Sequence, residues 1–321
     1  MDCSAYHGVP VLVTGGCGFI GSHITMALVA AGARVGVLDN LSHGQRSHLA
    51  PVADKVHIQV GDLRQPEDCA HAVAGKQIIF HLAALGSVPG SLDDPLRYHE
   101  VNATGTLNLL LAARTAGVRR VVFSASSSAY GDSPSLPKHE AMPPAPKSPY
   151  AITKLMGEYY LRTFAEVYGL STVSLRYFNV FGPRQNPKSQ YAAVIPAFID
   201  ALRQGRAPTI HGDGEQTRDF CHVDNVVQAN LRAGLSPKAL AGEVYNVACG
   251  ERLSLNELFR IIQTSMGATV QPIYGPARMG DVRDSLADIT KIVTDLGYHP
   301  QVLVRPGLAS TVSWYLQNAA G

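Results

Sequence analysis

Tyr150 and Lys154 stand four residues apart behind Ser148-Pro149, a pair that suits the cap and first position of a helix. That spacing puts a phenol and an ammonium on one helix face. An ammonium beside a phenol favours the phenolate and lowers a pKa that is normally about 10, so the two residues read as a general base with its tuner. A second set of hydroxyls, Ser124, Ser126, Ser127 and Ser128, closes the apolar run from Val121 to Ala125. They fall at the carboxyl edge of a buried strand, where doubly wound sheets bind ligands. By themselves a tyrosine and lysine four apart describe an exposed helix face, and a serine run describes a loop.

What accompanies them is a nucleotide signature. The apolar run Val11 to Thr14 leads into Gly15-Gly16-Cys17-Gly18-Phe19-Ile20-Gly21, and Ser22 to Ala31 has helical spacing. Gly15, Gly18 and Gly21 therefore lie at a strand-to-helix turn. Glycine there permits the tight turn, lets backbone approach a pyrophosphate, and lets the helix pack closely on the strand with its N-terminus facing negative charge. A second strand ends at Asp39, whose carboxylate can bond an adenosine ribose and repels a 2'-phosphate, favouring NAD over NADP. Cys17 reads as a small residue tolerated in the loop, the alternative being a reactive thiol at a helix N-terminus.

These groups need a scaffold, and strand-length apolar runs alternate with helical patterns. Val35 to Leu38, Val56 to Val60, Gln77 to His81 and Ser171 to Tyr177 add strands, with helical stretches near 97 to 116 and 149 to 168. The alternation predicts an α/β fold with a doubly wound parallel sheet. After about residue 178 the turns Gly182-Pro183, Gly212-Asp213-Gly214 and Tyr274-Gly275-Pro276 shorten the elements, yet Glu243 to Ala248 reads as one more buried strand. The expected organisation is a Rossmann domain over 1–178 with a returning segment about 220–249, and a smaller C-terminal substrate-binding region over 179–219 and 250–321.

Hydrophobic residues at 46% against 16% charged describe a globular interior, and 27 Lys plus Arg against 25 Asp plus Glu leave a net charge of only +2. No basic stripe for nucleic acid or a membrane surface is visible. No apolar stretch approaches the roughly 18 residues of a bilayer span, and no leader pattern opens the chain, so a cytoplasmic protein is expected. Five scattered cysteines suit neither a disulfide framework nor a metal knuckle, and the 12 histidines show no ligand spacing; no metal site is expected.

Over nearly its whole length the sequence resembles the extended short-chain dehydrogenase/reductases, and within them the nucleotide-sugar 4-epimerases. The resemblance is carried by the glycine turn, Gly61-Asp62-Leu63, His81-Leu82-Ala83-Ala84, Val101-Asn102-x-x-Gly105-Thr106, the serines before Tyr130-Gly131, Tyr150-x-x-x-Lys154, Arg176-Tyr177-Phe178-Asn179 and Thr217-Arg218-Asp219-Phe220. It implies that Asp62 meets the adenine, Ala83 and Ala84 the pyrophosphate side, and Lys154 the nicotinamide ribose of a tightly bound NAD that is regenerated each turnover. Phe19, Ile20, Asn40, Leu63, Asn102 and Tyr177 are assigned to the same cofactor. Ser126 and Tyr150 would hold the sugar hydroxyl, with Ser87, Ser127, Ser128, Ala193 and Val194 around the substrate. Asn179, Arg218 and Arg283 would surround the nucleotide diphosphate, where guanidinium forks suit phosphate oxygens. Kinship also implies a homodimer through the two long helices.

Relatives that eliminate water carry an Asp-Glu pair where this chain has Ser127 and Ser128, and sugar decarboxylases carry a glutamate there, so both chemistries are disfavoured. What is left is oxidation and re-reduction at C4 of a UDP-sugar. Aligning Gly280 to Asp288 with the family's size gate puts Ser285 at the gate, leaving room for a 2-acetamido group. Ser124 to Tyr130 and Asn179 to Gln185, followed by Tyr191 to Pro196, look most like UDP-N-acetylglucosamine 4-epimerases. The resemblance thus implies exchange of UDP-GlcNAc and UDP-GalNAc, with UDP-Glc and UDP-Gal as poorer substrates. A UDP-glucose 4-epimerase is the alternative; an NAD(P)-dependent reductase and a non-catalytic NAD-binding regulator on the same fold are more remote.

Overall fold

The computed structural model describes residues 3–186, 193–277 and 282–318. Its first half winds as the alternation predicts. β1 (Pro10–Thr14) leads to α1 (Phe19–Ala30), then β2 (Arg34–Asp39), β3 (Val56–Val60), α2 (Pro66–Val73) and β4 (Ile78–His81). Next come the short helices α3 (Val88–Asp93) and α4 (Pro95–Tyr98), a π-helical segment at His99–Thr104, α5 (Gly105–Thr115) and β5 (Arg120–Ser126). α6 (Pro149–Tyr168) and β6 (Ser171–Tyr177) complete this half.

α6 starts and stops where local chemistry dictates. Ser148 Oγ accepts from the Ala151 amide at 3.2 Å, Pro149 fills the first position, and Gly169 ends the helix at φ +71. The stretch near 97 to 116 is less regular than its apolar spacing predicts, because α4 passes into α5 through the π-helical segment. One extra residue per turn there aims Asn102 inward, and such segments concentrate at functional sites.

The second half contributes β7 (Val180–Phe181), α7 (Val194–Arg203), β8 (Thr209–His211), β9 (Thr217–Arg218), β10 (Cys221–His222), α8 (Val223–Leu235) and β11 (Ala241–Val247). β12 (Leu253–Ser254), α9 (Leu255–Met266), β13 (Ile273–Gly275), α10 (Thr290–Leu296) and α11 (Val304–Gln317) follow. β11 returns to pair with β6, so the sheet has seven parallel strands in the order β3-β2-β1-β4-β5-β6-β11. Order reverses between β1 and β4, and the crevice at their carboxyl ends is where such sheets bind ligands.

Helices cover both faces. One core packs Ile24, Leu28, Val226 and Ala229 from α1 and α8 on one side; the other packs Leu109, Leu110, Leu161 and Phe164 from α5 and α6. A third cluster joins Phe198, Leu258, Ile262 and Leu308 from α7, α9 and α11 beside the carboxyl edge. Among the described residues no helix is long and apolar enough to cross a membrane.

Candidate active site

The glycine turn is shaped by close approaches. A β-carbon on Gly21 would lie 2.0 Å from the Gly15 carbonyl oxygen, and one on Gly15, at φ +68, 2.8 Å from the Ala83 nitrogen. A β-carbon on Gly18 meets nothing nearer than the Gly15 oxygen at 3.1 Å, so its outer side faces open space. Gly18 caps α1 without a side-chain acceptor, leaving the first amides of the helix directed at a cavity of about 770 Å³. Free amides, glycine backbone and a helix N-terminus make a cradle that fits a dinucleotide diphosphate.

Around it, Asp39 is buried and accepts from the Cys17 amide at 2.9 Å and the Leu41 amide at 2.8 Å, fixing the turn against β2. Asn40 and Arg64 converge on Asp62 (Asn40 Nδ2 at 2.9 Å; Arg64 Nε and a terminal nitrogen at 3.0 and 2.9 Å), and the guanidinium holds that carboxyl well below the usual range. Phe19, Ile20, Leu63, Ala83, Ala84 and Tyr177 border the same cavity. Cys17 is buried and its thiol is pushed up to about 11, which removes the reactive-thiol alternative.

Sequence reasoning assigned Asn102 to the cofactor and gave His81 no task; both belong to one buried chain. Thr14 Oγ1 accepts from the Leu82 and Ala83 amides and lies 2.8 Å from His81 Nδ1. Thr106 Oγ1 donates to the Asn102 carbonyl at 2.5 Å and lies 2.9 Å from His81 Nε2. The single Thr106 proton is thereby used, so Nε2 carries the imidazole proton and Nδ1 accepts from Thr14. Asn102 then bonds the Leu85 backbone and donates to Thr153 Oγ1 at 3.1 Å, and Thr153 Oγ1 donates to the Tyr150 carbonyl at 2.9 Å. The end of β1 is tied to the first turn of α6.

Burial pushes His81 down to about 3, against about 6.5 for a free histidine. The unfolded chain binds that proton more readily, so the stability contributed by neutral His81 is full above pH 6.5 and drains as pH falls toward 3. Relative to His81→Gln, the wild-type protein should lose up to about 1.4 kcal/mol per pH unit over that window. Denaturant melts of both proteins at pH 7.5, 6 and 4.5 check this, and curves that run parallel rule it out.

Tyr150, Lys154 and the serines do converge. Ser126 Oγ accepts from Ser128 Oγ at 2.8 Å and from the Ser128 amide at 3.2 Å, leaving its own proton for a group in the cavity. Tyr150 lies within hydrogen-bonding reach of Ser126. Lys154 Nζ, however, turns to the Ser124 carbonyl at 2.8 Å and its hydroxyl at 3.3 Å, and sits 4.9 Å above the Phe123 ring.

Burial reverses the electrostatic expectation for this pair. Burial pulls Lys154 down to about 7, with Glu158 opposing. Burial also raises Tyr150, with the Ser126 bond pulling the other way. Desolvation outweighs any help from the ammonium, so Tyr150 is held as a phenol at neutral pH. Behind Lys154, Glu158 and Arg176 form a buried bidentate pair at 2.8 and 2.7 Å, with the guanidinium 4.5 Å over the Tyr130 ring.

On the far wall, Ser127, Ser128, Asn179, Ala193, Arg218 and Ser285 border the main cavity. Ala193 and Val194 border an adjoining one of about 280 Å³. Two assigned residues are drawn elsewhere. Arg283 turns outward into a bidentate pair with Asp213 at 3.0 and 2.9 Å, offering only its carbonyl to Arg218. Ser87 caps α3, its Oγ accepting from Gly90 at 3.0 Å. Of the runs quoted for the resemblance, Tyr191-Ala192 and Gly280-Asp281 lie outside the described residues.

Sequence reasoning gave Asp219 no role, although it stands in a quoted motif. Fully buried, it accepts from the amides of Cys249 at 3.0 Å and of Gly250 and Ala287 at 3.1 Å, while its carbonyl holds Asn179 Nδ2 at 3.1 Å. Burial nevertheless pushes its carboxyl up to about 7.

The sequence profile of the NAD-dependent epimerase/dehydratase family matches residues 11–248. Over 308 residues the chain is 42% identical to a UDP-glucose 4-epimerase of Mycolicibacterium smegmatis, covering 95% of this chain and 97% of that protein. Among solved structures it is similar to a UDP-N-acetylglucosamine 4-epimerase from Methanobrevibacter ruminantium in complex with UDP-N-acetylmuramic acid (TM-score 0.92, 42% identity, 97% and 99% of the two chains). It is also similar to the Thermus thermophilus UDP-glucose 4-epimerase complex with NAD (TM-score 0.89, 36% identity, 96% and 99% covered).

Proposed function

The chain belongs to the NAD-dependent epimerase/dehydratase family, and from that premise we propose that it is a UDP-sugar 4-epimerase acting on UDP-GlcNAc and UDP-GalNAc. The observation that carries the proposal is the convergence of Tyr150, Ser126 and Lys154 on the cavity that the glycine turn also opens into. NAD, which the glycine turn, Asp39 and Asp62 would hold, would supply hydride acceptance and return at C4 of the sugar.

The chain's own residues handle the proton. Tyr150 must first lose its own proton, and its phenolate Oη would then take the proton from the 4-hydroxyl and give it back, while Ser126 donates its free hydrogen to the same sugar oxygen. Lys154, fixed by Ser124, would hold the ribose edge of the cofactor, and in its protonated form it would favour the phenolate. Ser127 and Ser128, having no carboxyl, supply no acid or base for elimination. Asn179 and Arg218 bind the diphosphate, and the segments 179–219 and 250–321 form the UDP-sugar side. A homodimer through α5 and α6 is part of the proposal; Leu111, Ile152, Tyr159 and Val167 are exposed on those helices.

The acetamido preference rests on Ser285, a small residue at the cavity wall. Ser285→Tyr should lower kcat/KM for UDP-GlcNAc at least about tenfold while changing UDP-Glc by less than about threefold, in line with steric discrimination in a pocket. Equal losses on both sugars would remove Ser285 from the specificity argument.

The direct test is incubation with UDP-GlcNAc and, separately, UDP-Glc, followed by the anomeric protons in NMR. UDP-GalNAc in the first tube is the expected product. UDP-Gal alone assigns the chain to UDP-glucose 4-epimerisation, and no change in either tube after NAD is added overturns the epimerase proposal.

A further inference from the structure

Arg184 borders the main cavity. It follows Gly182-Pro183 on the segment leaving β7 and holds φ +67, a left-handed conformation that a β-carbon disfavours. The only other described non-glycine residues at positive φ are Leu41 and Asn179, on loops that also edge the cleft. The segment is pinned before any ligand arrives: a β-carbon on Gly182 would lie 2.6 Å from Val223 Cγ1, and the Pro183 carbonyl lies 3.0 Å from His23 Nε2.

From this strap the guanidinium reaches across to the nucleotide half. One terminal nitrogen donates to the His48 carbonyl at 3.0 Å and lies 2.8 Å from Met26 Sδ, and Nε lies 3.3 Å from His23 Nε2. His48 in turn holds the glycine turn, with Nδ1 2.9 Å from the Cys17 carbonyl. Burial pushes His23 down to about 3 and His48 downward as well, so both are neutral neighbours. Among the described residues no carboxylate forms an ion pair with Arg184; Asp224 acts on it only at a distance, its side chain largely exposed. Its second terminal nitrogen meets no described acceptor, and the residue borders the 770 Å³ cavity.

A preset cation with neutral partners only, at the wall of a cavity opened by a glycine turn, suits an anion bound bidentately, and a dinucleotide diphosphate has that chemistry. We propose that Arg184 is a cofactor-binding residue that fastens the diphosphate of NAD from the strap lying against α1 and His48, beside the glycine turn, so that the cofactor stays bound through successive turnovers. This depends on the NAD site and not on which sugar is processed.

The test uses full-length wild type, Arg184→Gln and Arg184→Lys. NAD released on denaturation is quantified per chain, and NAD dissociation constants are measured by calorimetry without sugar, with UDP titrated separately. Arg184→Gln should weaken NAD at least tenfold, Arg184→Lys should fall between, and UDP affinity should stay within twofold. Activity of the glutamine variant should then recover as added NAD is raised. Unchanged NAD retention overturns the proposal. So does an equal loss of NAD, UDP affinity and melting temperature, which would make Arg184 a structural tie; if the glutamine variant does not fold, the lysine variant decides by the same readings. Because NAD binding is read without sugar, failure of the epimerase assignment leaves this result intact.

Discussion

Tyr150→Phe is expected to lower kcat on the UDP-sugar by about 10²–10⁴-fold, the usual worth of a positioned general base, with NAD content and UDP affinity within about twofold of wild type. The phenol is the titratable group within reach of Ser126, and phenylalanine fills the same space on α6 without it. Lys154 cannot replace it, because its ammonium is turned to the Ser124 carbonyl. Ser126→Ala, which removes one donor and leaves the base, should cost less than Tyr150→Phe. Turnover by NMR together with cofactor content measures both, and a loss below tenfold in the phenylalanine variant would falsify the assignment of Tyr150 as the base.

Glu158→Gln should destabilise the fold by about 3–5 kcal/mol, because it strands a guanidinium inside the protein. Both side chains of the Glu158 and Arg176 pair are only 4% exposed, and one Arg176 nitrogen already lacks a partner. At this chain length that corresponds to a fall in Tm of about 4–7 °C. Removing the charges together, as Glu158→Leu with Arg176→Met, should recover most of the loss, since a buried ion pair contributes little over apolar residues of similar volume. Thermal melts of the single and double variants decide it; a double variant as unstable as the single one would show that packing against Tyr130, and not unpaired charge, sets the cost. Glu158 also opposes the downward shift of Lys154, so the glutamine variant should lose activity at a lower pH than wild type as that ammonium deprotonates.

What the sequence made legible is what local rules govern. The β1-turn-α1 unit, the Ser148-Pro149 start of α6 and the strand character of β5 and β6 follow from glycine spacing, caps and apolar runs, and the structure has them at those residues. Convergence of Tyr150, Lys154 and Ser126 follows in turn, since a helix face and a strand end are fixed by the fold. Side-chain direction at a distance is not legible in this way. Arg283 reads as a diphosphate ligand until Asp213, brought close by a glycine-rich turn, draws it outward. The Tyr150 and Lys154 spacing signals proximity but not burial, and burial reverses the expected shift of the phenol. His81 carries no periodic signal at all; its role appears only when Thr14 and Thr106 are seen on either side.

The return of β11 to the edge of β6 bears on how the chain acquires its structure. Tyr245 and Val247 fill the same interior as Val13 and Phe80, beside Val226 and Ala229 from α8. Until the ribosome has passed Val247, β6 presents an unpaired edge and the hydrophobic face beneath α1 lacks its cover. Nascent chain shorter than this holds the glycine turn, Tyr150 and Lys154 but cannot bury the surface that fixes them. Folding of the nucleotide-binding half is therefore a late event in synthesis, governed by a contact of long sequence separation, and truncation anywhere before that strand should yield a sticky, proteolysis-sensitive fragment and not a small working domain.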